Sequence, residues 1–315
     1  AVADALADNS GLPFSENNII MTCGAGGALN VVLKTILDPG DEVILISPFF
    51  VEYKFYIDNH GGLFKIAPSA RDFQLDLDSI SAAVTPRTRA VLINSPNNPT
   101  GVIYSGESLT ALGALLETKE KLTGQPIYVI SDEPYAKIVY DGIKLPSVFK
   151  QIKNSIVVTS HSKDLALPGE RIGYIAFSPR IEDGALLEEG LIFCNRTLGF
   201  VNAPALMQRL VTGLQEESVN IQEYQEKRDI LYNSLTELGF EMIKPRGAFY
   251  LFPKSPLPDD VEFIRKAQKY NLLLVPGSGF GKPGYFRMAY CIDKQIILNS
   301  LPAFKALAAE LGMTR

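Results

Sequence analysis

Ser155-Ile156-Val157-Val158-Thr159-Ser160-His161-Ser162-Lys163 joins an apolar, β-branched run to a lysine, and its reading decides the fold. Ile156 to Thr159 has the length and composition of a buried strand. A lysine just past such a strand stands at the rim of a sheet. Neighbouring groups there can depress its pKa and make it a nucleophile or a former of imines. Most lysines are solvated surface groups, so the reading depends on what the rest of the chain brings to the same rim.

Four other apolar runs end in unusual residues. Asn18–Cys23 leads into Gly24-Ala25-Gly26-Gly27 and then a helical pattern over Ala28–Leu37. Glu42–Ile46 ends in Ser47-Pro48-Phe49-Phe50. Arg89–Ile93 ends in Asn94-Ser95-Pro96-Asn97-Asn98-Pro99-Thr100-Gly101, and Ile127–Ile130 in Ser131-Asp132-Glu133-Pro134-Tyr135. A further strand is expected at Leu63–Ile66, with helices at Leu77–Val84 and Leu109–Leu122. Continuous apolar strands alternating with helices predict an α/β fold, a mainly parallel sheet sandwiched by helices. In such a sheet ligands bind beyond the carboxyl ends of the strands, which gathers the five ends onto one edge.

After Gly173–Phe177 the pattern turns helical, at Glu182–Thr197, Ala203–Leu214 and a long polar-faced stretch, Val219–Leu238. Beyond Gly239 come expected strands at Phe249–Phe252, Leu272–Val275 and Tyr285–Tyr290, with helices at Val261–Tyr270 and Lys294–Leu311. The expected division is a large domain over residues 1–222 and a smaller C-terminal α+β domain over 223–315.

The 315 residues are 46% apolar and 21% charged, as in an ordinary globular protein. A net charge of −5 without Lys/Arg runs argues against a nucleic-acid surface, and no apolar run reaches membrane length. Three scattered cysteines fit a reducing compartment and a cytoplasmic location, with no disulfide framework. Two histidines cannot make a multi-histidine metal centre, so no metal is expected. The chain opens on Ala1 in what reads as the middle of a helix, and its start is expected to have been removed or not captured.

Taken singly, each strand end has an ordinary explanation. Gly24-Ala25-Gly26 is a phosphate cradle or a tight packing turn; a dinucleotide fingerprint fails at Leu29, and the P-loop lysine is missing. Phe50 stacks on a planar ring or joins the core, and Asp132 is a buried carboxylate at work or an N-cap. The rigid loop carrying Asn98, with a cis Asn98–Pro99 bond plausible, aims a side chain. Together they supply an amine, a carboxylate, a stacking ring, an aimed amide and an anion cradle. That set asks for a flat phosphorylated heterocycle that forms an imine with lysine, namely pyridoxal 5′-phosphate.

With these motifs the chain resembles the class I/II aminotransferases, fold-type I pyridoxal-phosphate enzymes, along essentially its whole length. The most specific pieces are Ser95–Gly101, Ser131–Tyr135 and Ser160-x-x-Lys163 with Arg171 eight residues on. Val275-Pro276-Gly277-Ser278-x-Phe280-Gly281 and Phe286-Arg287 complete the series. The resemblance implies that Lys163 carries the internal aldimine and shuttles a proton between Cα and C4′. It implies that Asp132 faces the pyridine nitrogen, that Asn98 and Tyr135 bond the ring's phenolate oxygen, and that Phe50 stacks on the ring. Ser160, Arg171 and the amides of Ala25 and Gly26 would hold the phosphate, with Ser162 nearby. Arg287 would clamp the substrate α-carboxylate.

The implied reaction moves an amino group between an L-amino acid, aspartate or else an aromatic one, and a 2-oxo acid. Family members also carry an N-terminal segment upstream of this start and are homodimers with sites at the subunit interface. Two alternatives share these residues. One is a pyridoxal-phosphate C–S β-lyase, which diverts the same Cα anion to elimination. The other is an aminotransferase-like sensor domain of a transcription regulator, which an upstream helix-turn-helix would reveal.

Overall fold

Val43 and Leu45 point to one face of a strand and Ile44 and Ile46 to the other, and all four are buried. The same double burial recurs at Leu92 and Val91, Ile130 and Val129, and Val158 and Val157. A two-residue side-chain period with both faces apolar is what helices on both sides of a sheet require.

The structure, a computed structural model, describes residues 1–313, so the last two positions of the expected second domain lie outside the described residues. In chain order these form α1 (Val2–Ser10), β1 (Ile19–Thr22), α2 (Gly24–Ile36), β2 (Glu42–Ser47), α3 (Glu52–Asp58) and β3 (Leu63–Pro68). Next come α4 (Leu77–Ala83), β4 (Thr88–Asn94), α5 (Gly106–Thr123), β5 (Tyr128–Asp132), α6 (Val148–Gln151) and β6 (Ser155–Ser160). Then follow α7 (His161–Asp164), β7 (Gly173–Phe177), α8 (Gly184–Thr197), α9 (Ala205–Thr212) and α10 (Ile221–Glu237). The chain ends with β8 (Tyr250–Leu251), α11 (Asp260–Gln268), β9 (Val275–Pro276), β10 (Phe286–Ala289) and α12 (Lys294–Glu310). Among the described residues no helix is long and apolar enough to cross a membrane.

The large sheet has the order β1-β7-β6-β5-β4-β2-β3. Only β7 runs against the rest, pairing antiparallel with both β1 and β6. The other six strands therefore point the same way, and the five distinctive ends share one edge. Gly173, on the second strand from one end of the sheet, lies opposite Thr22 on one side and Ser160 on the other. A side chain there would meet the Thr159 carbonyl and stand 3.0 Å from the Gly24 Cα, so the close approach of three segments depends on glycine.

Three local expectations change. Helix α2 begins at Gly24 and not at Ala28, so the glycine-rich stretch is the helix's first turn. Helix α3, absent from the sequence reading, follows Phe50 directly. The expected strand at Leu272–Val275 reduces to β9, because Leu272–Leu274 is a connecting loop in which Leu272 is buried and Leu273 is 85% exposed.

The second unit is the three-stranded antiparallel sheet β8-β10-β9 with α10, α11 and α12. Its core centres on Phe240, Phe263, Phe286, Phe304 and Leu307, and it takes in Tyr135, Ile138 and Tyr140 from the segment after β5. The expected boundary after residue 222 falls in the first turn of α10. Arg228 of α10 is fully buried and grips the two Asp141 carboxylate oxygens at 2.7 and 2.8 Å, with its guanidinium over the Tyr140 ring. Such a bidentate pair fixes α10 against the large sheet's own connections.

Candidate active site

All eleven residues singled out in the sequence line one cleft of about 360 Å³ at the carboxyl edge of the large sheet. Lys163 reaches it from α7, a single helical turn that starts where β6 stops. Its Nζ lies 5.8 Å from the centre of the Phe249 ring, an apolar wall contributed by the second unit.

Asp132 is the last residue of β5 and only 6% exposed. Its Oδ2 accepts a hydrogen bond from the Tyr53 hydroxyl at 2.6 Å, while its buried Oδ1 has no partner among the described residues. Burial pushes the carboxyl up to about 7, against the pull of the Tyr53 bond. Glu133, next in sequence, is likewise raised by burial to about 7, with its Oε1 accepting from the Ser131 hydroxyl. An orphaned buried acceptor is costly. A protonated ring nitrogen facing Oδ1 would supply both the missing donor and a compensating charge.

The loop after β4 is pinned to β5 by Asn94, whose Nδ2 donates to the Asp132 carbonyl at 2.7 Å and whose Oδ1 accepts from the Asn98 backbone at 2.6 Å. The Ser47–Pro48, Ser95–Pro96 and Asn98–Pro99 bonds are cis. Asn98, which lines the cleft, accepts at Oδ1 from Arg287 Nη1 at 2.9 Å, and its amide nitrogen has no acceptor among the described residues. The Tyr135 hydroxyl lies 2.9 Å from the Tyr250 hydroxyl, and burial raises the pKa of both phenols.

An anion seat forms where α2, α7 and β7 meet. The first-turn amides of α2, among them those of Ala25 and Gly26, have no side-chain cap, and a helix N-terminus attracts negative charge. Arg171 adopts a left-handed backbone conformation at φ 48° and anchors its guanidinium to the carbonyls of Pro168, at 2.9 Å, and Cys23, at 3.4 Å. A Cβ on Gly24 would stand 2.7 Å from Arg171 Nη2, so this cradle exists only because Gly24 has none. Ser160 and Ser162 complete the rim.

Arg287, on β10, enters from the second sheet. Its guanidinium is sandwiched between the rings of Tyr250 and Phe280, with centroids at 4.6 and 4.7 Å. Its Nε is buried without a partner among the described residues. Phe50 packs edge-on to Tyr53 at 5.5 Å and lines the cleft beside it. Tyr53, Tyr56 and Tyr250 were missed in the sequence. The first two continue a three-residue spacing from Phe50, a helical signal hidden by the overlooked α3.

These residues suit a flat ring bearing a cation and an anionic tail, and the comparisons agree. The model of the family described as aminotransferase class I and II matches residues 1–299. The chain belongs to this aminotransferase family. Among its relatives, a probable aspartate aminotransferase of Methanocaldococcus jannaschii is 32% identical, over 97% of this chain and 81% of its own. The aspartate/prephenate aminotransferase of Thermus thermophilus is 31% identical, over 96% and 79%. A crystal structure of an amino transferase from Eubacterium rectale superposes with a TM-score of 0.96 at 41% identity, covering 98% of this chain and 78% of that one. Class I and II aminotransferases use pyridoxal phosphate and act on amino and oxo acids.

Proposed function

We propose that this aminotransferase transfers the amino group of aspartate to a 2-oxo acid, with pyridoxal phosphate held in the cleft and bound through Lys163. The observation that carries the reading is the convergence of Lys163, the half-paired buried carboxylate of Asp132 and the ring-sandwiched Arg287 on one cleft. Aspartate as the amino donor is supported by the names of relatives from several organisms.

Bound pyridoxal phosphate supplies an electron sink for the pair released when a substrate Cα–H bond breaks. The chain's own residues do the rest. Asp132 Oδ1 would hold a proton on the ring nitrogen of the bound group, and a positive charge there would favour the ionised carboxylate. The Asn98 amide and the Tyr135 hydroxyl would donate to the ring's phenolate oxygen, and Phe50 would cover the ring face. The α2 amides, Ser160 and Arg171, which line the cleft, would hold the phosphate and restrain the ring. Arg287 receives the substrate α-carboxylate through its fork, which orients the Cα proton toward Lys163 Nζ, the base that removes it.

Lys163→Ala is expected to lose the visible absorption of the bound cofactor and to cut aspartate-dependent turnover by more than a thousandfold. A variant with full turnover overturns the reading. The chain is also proposed to work as a homodimer, supported by the exposed apolar side chains Leu186, Phe193 and Leu206 on α8 and α9. A monomeric mass by light scattering at micromolar concentration would refute that.

A further inference from the structure

We infer that Tyr250 is a positioning residue whose hydroxyl sets the direction and strength of the Tyr135 hydrogen bond into the cleft. This rests on the reading above that Tyr135 faces the phenolate oxygen of pyridoxal phosphate. The two phenols are 2.9 Å apart oxygen to oxygen, both rings are buried, and they meet nearly edge-on at 85°. The Tyr250 ring supports Arg287, while its hydroxyl has no part in the proposed reaction.

A phenol has one proton and can both donate and accept. For Tyr135 to donate into the cleft, its own proton must point there, and the bond to Tyr250 must then be one that Tyr135 accepts. Donation from Tyr250 fixes that rotor. It also polarises the Tyr135 O–H, because successive hydrogen bonds in a chain strengthen one another. Tyr250 can hold this geometry because it is gripped on its other side. Its ring lies under the Arg287 guanidinium at 4.6 Å, and β8 pairs with β10, with Tyr250 opposite Ala289 and Arg287 two residues before it. The phenol pair thus joins β8, the neighbour of the strand that carries Arg287, to the segment that follows Asp132 at the end of β5. The motifs that carry the family resemblance do not include Tyr250, which falls within the expected strand Phe249–Phe252.

The test is the pH midpoint of the visible band of the lysine-bound cofactor, measured in wild type, Tyr250→Phe, Tyr135→Phe and the double variant. A donor to the phenolate oxygen stabilises charge there and lowers that midpoint, so weakening the donor raises it. Tyr250→Phe keeps the ring and its stack on Arg287 and removes only the hydroxyl. It is expected to raise the midpoint by about 0.3 to 0.5 pH unit, a two- to threefold change in the equilibrium. Tyr135→Phe is expected to raise it further, and adding Tyr250→Phe to that variant is expected to change nothing. A shift of equal size in both backgrounds, or none in either, overturns the inference, because a merely structural hydroxyl does not depend on Tyr135 in this way. A wild-type protein that takes up no pyridoxal phosphate overturns the underlying reading as well, which separates the two failures.

Discussion

The seat around Arg171 and the pocket around Arg287 both offer a guanidinium to an anion, but they are assembled from different material. Arg171 lies just before Gly173, the residue that pairs Thr22 on one side and Ser160 on the other, and it is braced by backbone carbonyls. Its fellow donors are main-chain amides of α2. Arg287 is held by side chains from both units, Asn98 from the loop after β4 and the rings of Tyr250 and Phe280 from the second unit. The first site inherits its shape from strand register. The second depends on how the small sheet rests against the large one, and can adjust as a ligand arrives. This difference in construction supports the proposed division, with the cofactor phosphate in the first seat and the substrate carboxylate in the second.

Paired substitutions test this contrast. Arg171→Ala is expected to weaken pyridoxal phosphate binding about 100-fold in equilibrium titration and to leave the aspartate KM of saturated enzyme within about twofold. Arg287→Ala is expected to do the reverse, raising KM about 100-fold and sparing cofactor affinity. If both variants lose the cofactor equally, the division between the two sites fails.

A smaller effect sharpens the comparison from the Asp132 side. With its folded pKa raised to about 7 from 3.8, the cofactor-free protein binds an extra proton in that window. Its stability therefore falls as pH rises from about 4 to 7, and the cost of the buried charge is complete above 7. Asp132→Asn is expected to stabilise the cofactor-free protein by about 1–2 kcal/mol at pH 8 and not at pH 4 in denaturant titration. An unchanged pH slope would mean that Oδ1 is solvated. Glu133, raised by burial as well, supplies a slope that remains in this variant.

The large sheet could be read from the chain because strands buried on both faces leave continuous apolar runs, and its ends stood out as breaks in those runs. The anion seat was legible in its residues but misplaced in its geometry, since glycines are poor helix formers and concealed that α2 starts at Gly24. Tyr53 and Tyr56 escaped because α3 is short and aromatic, with no apolar stripe longer than two turns. In the second unit β8 and β9 have two residues each, too few for alternation to register, so the Leu272–Leu274 loop imitated a strand. Tyr250 was hidden for a different reason: its partner, Tyr135, lies 115 residues earlier in the chain, in the segment after β5.

The Thr22–Gly173–Ser160 row has a consequence for how the protein comes together. No contiguous stretch of the polypeptide contains the anion seat, because its parts arrive from both halves of the chain and meet only when β1 has been threaded beside β7. A ligand gripping it recognises completed topology and, by mass action, favours only molecules that have reached it. Contacts this distant in sequence close late in folding. A cofactor seated there acts as a latch on the finished molecule, lengthening its lifetime more than hastening its birth.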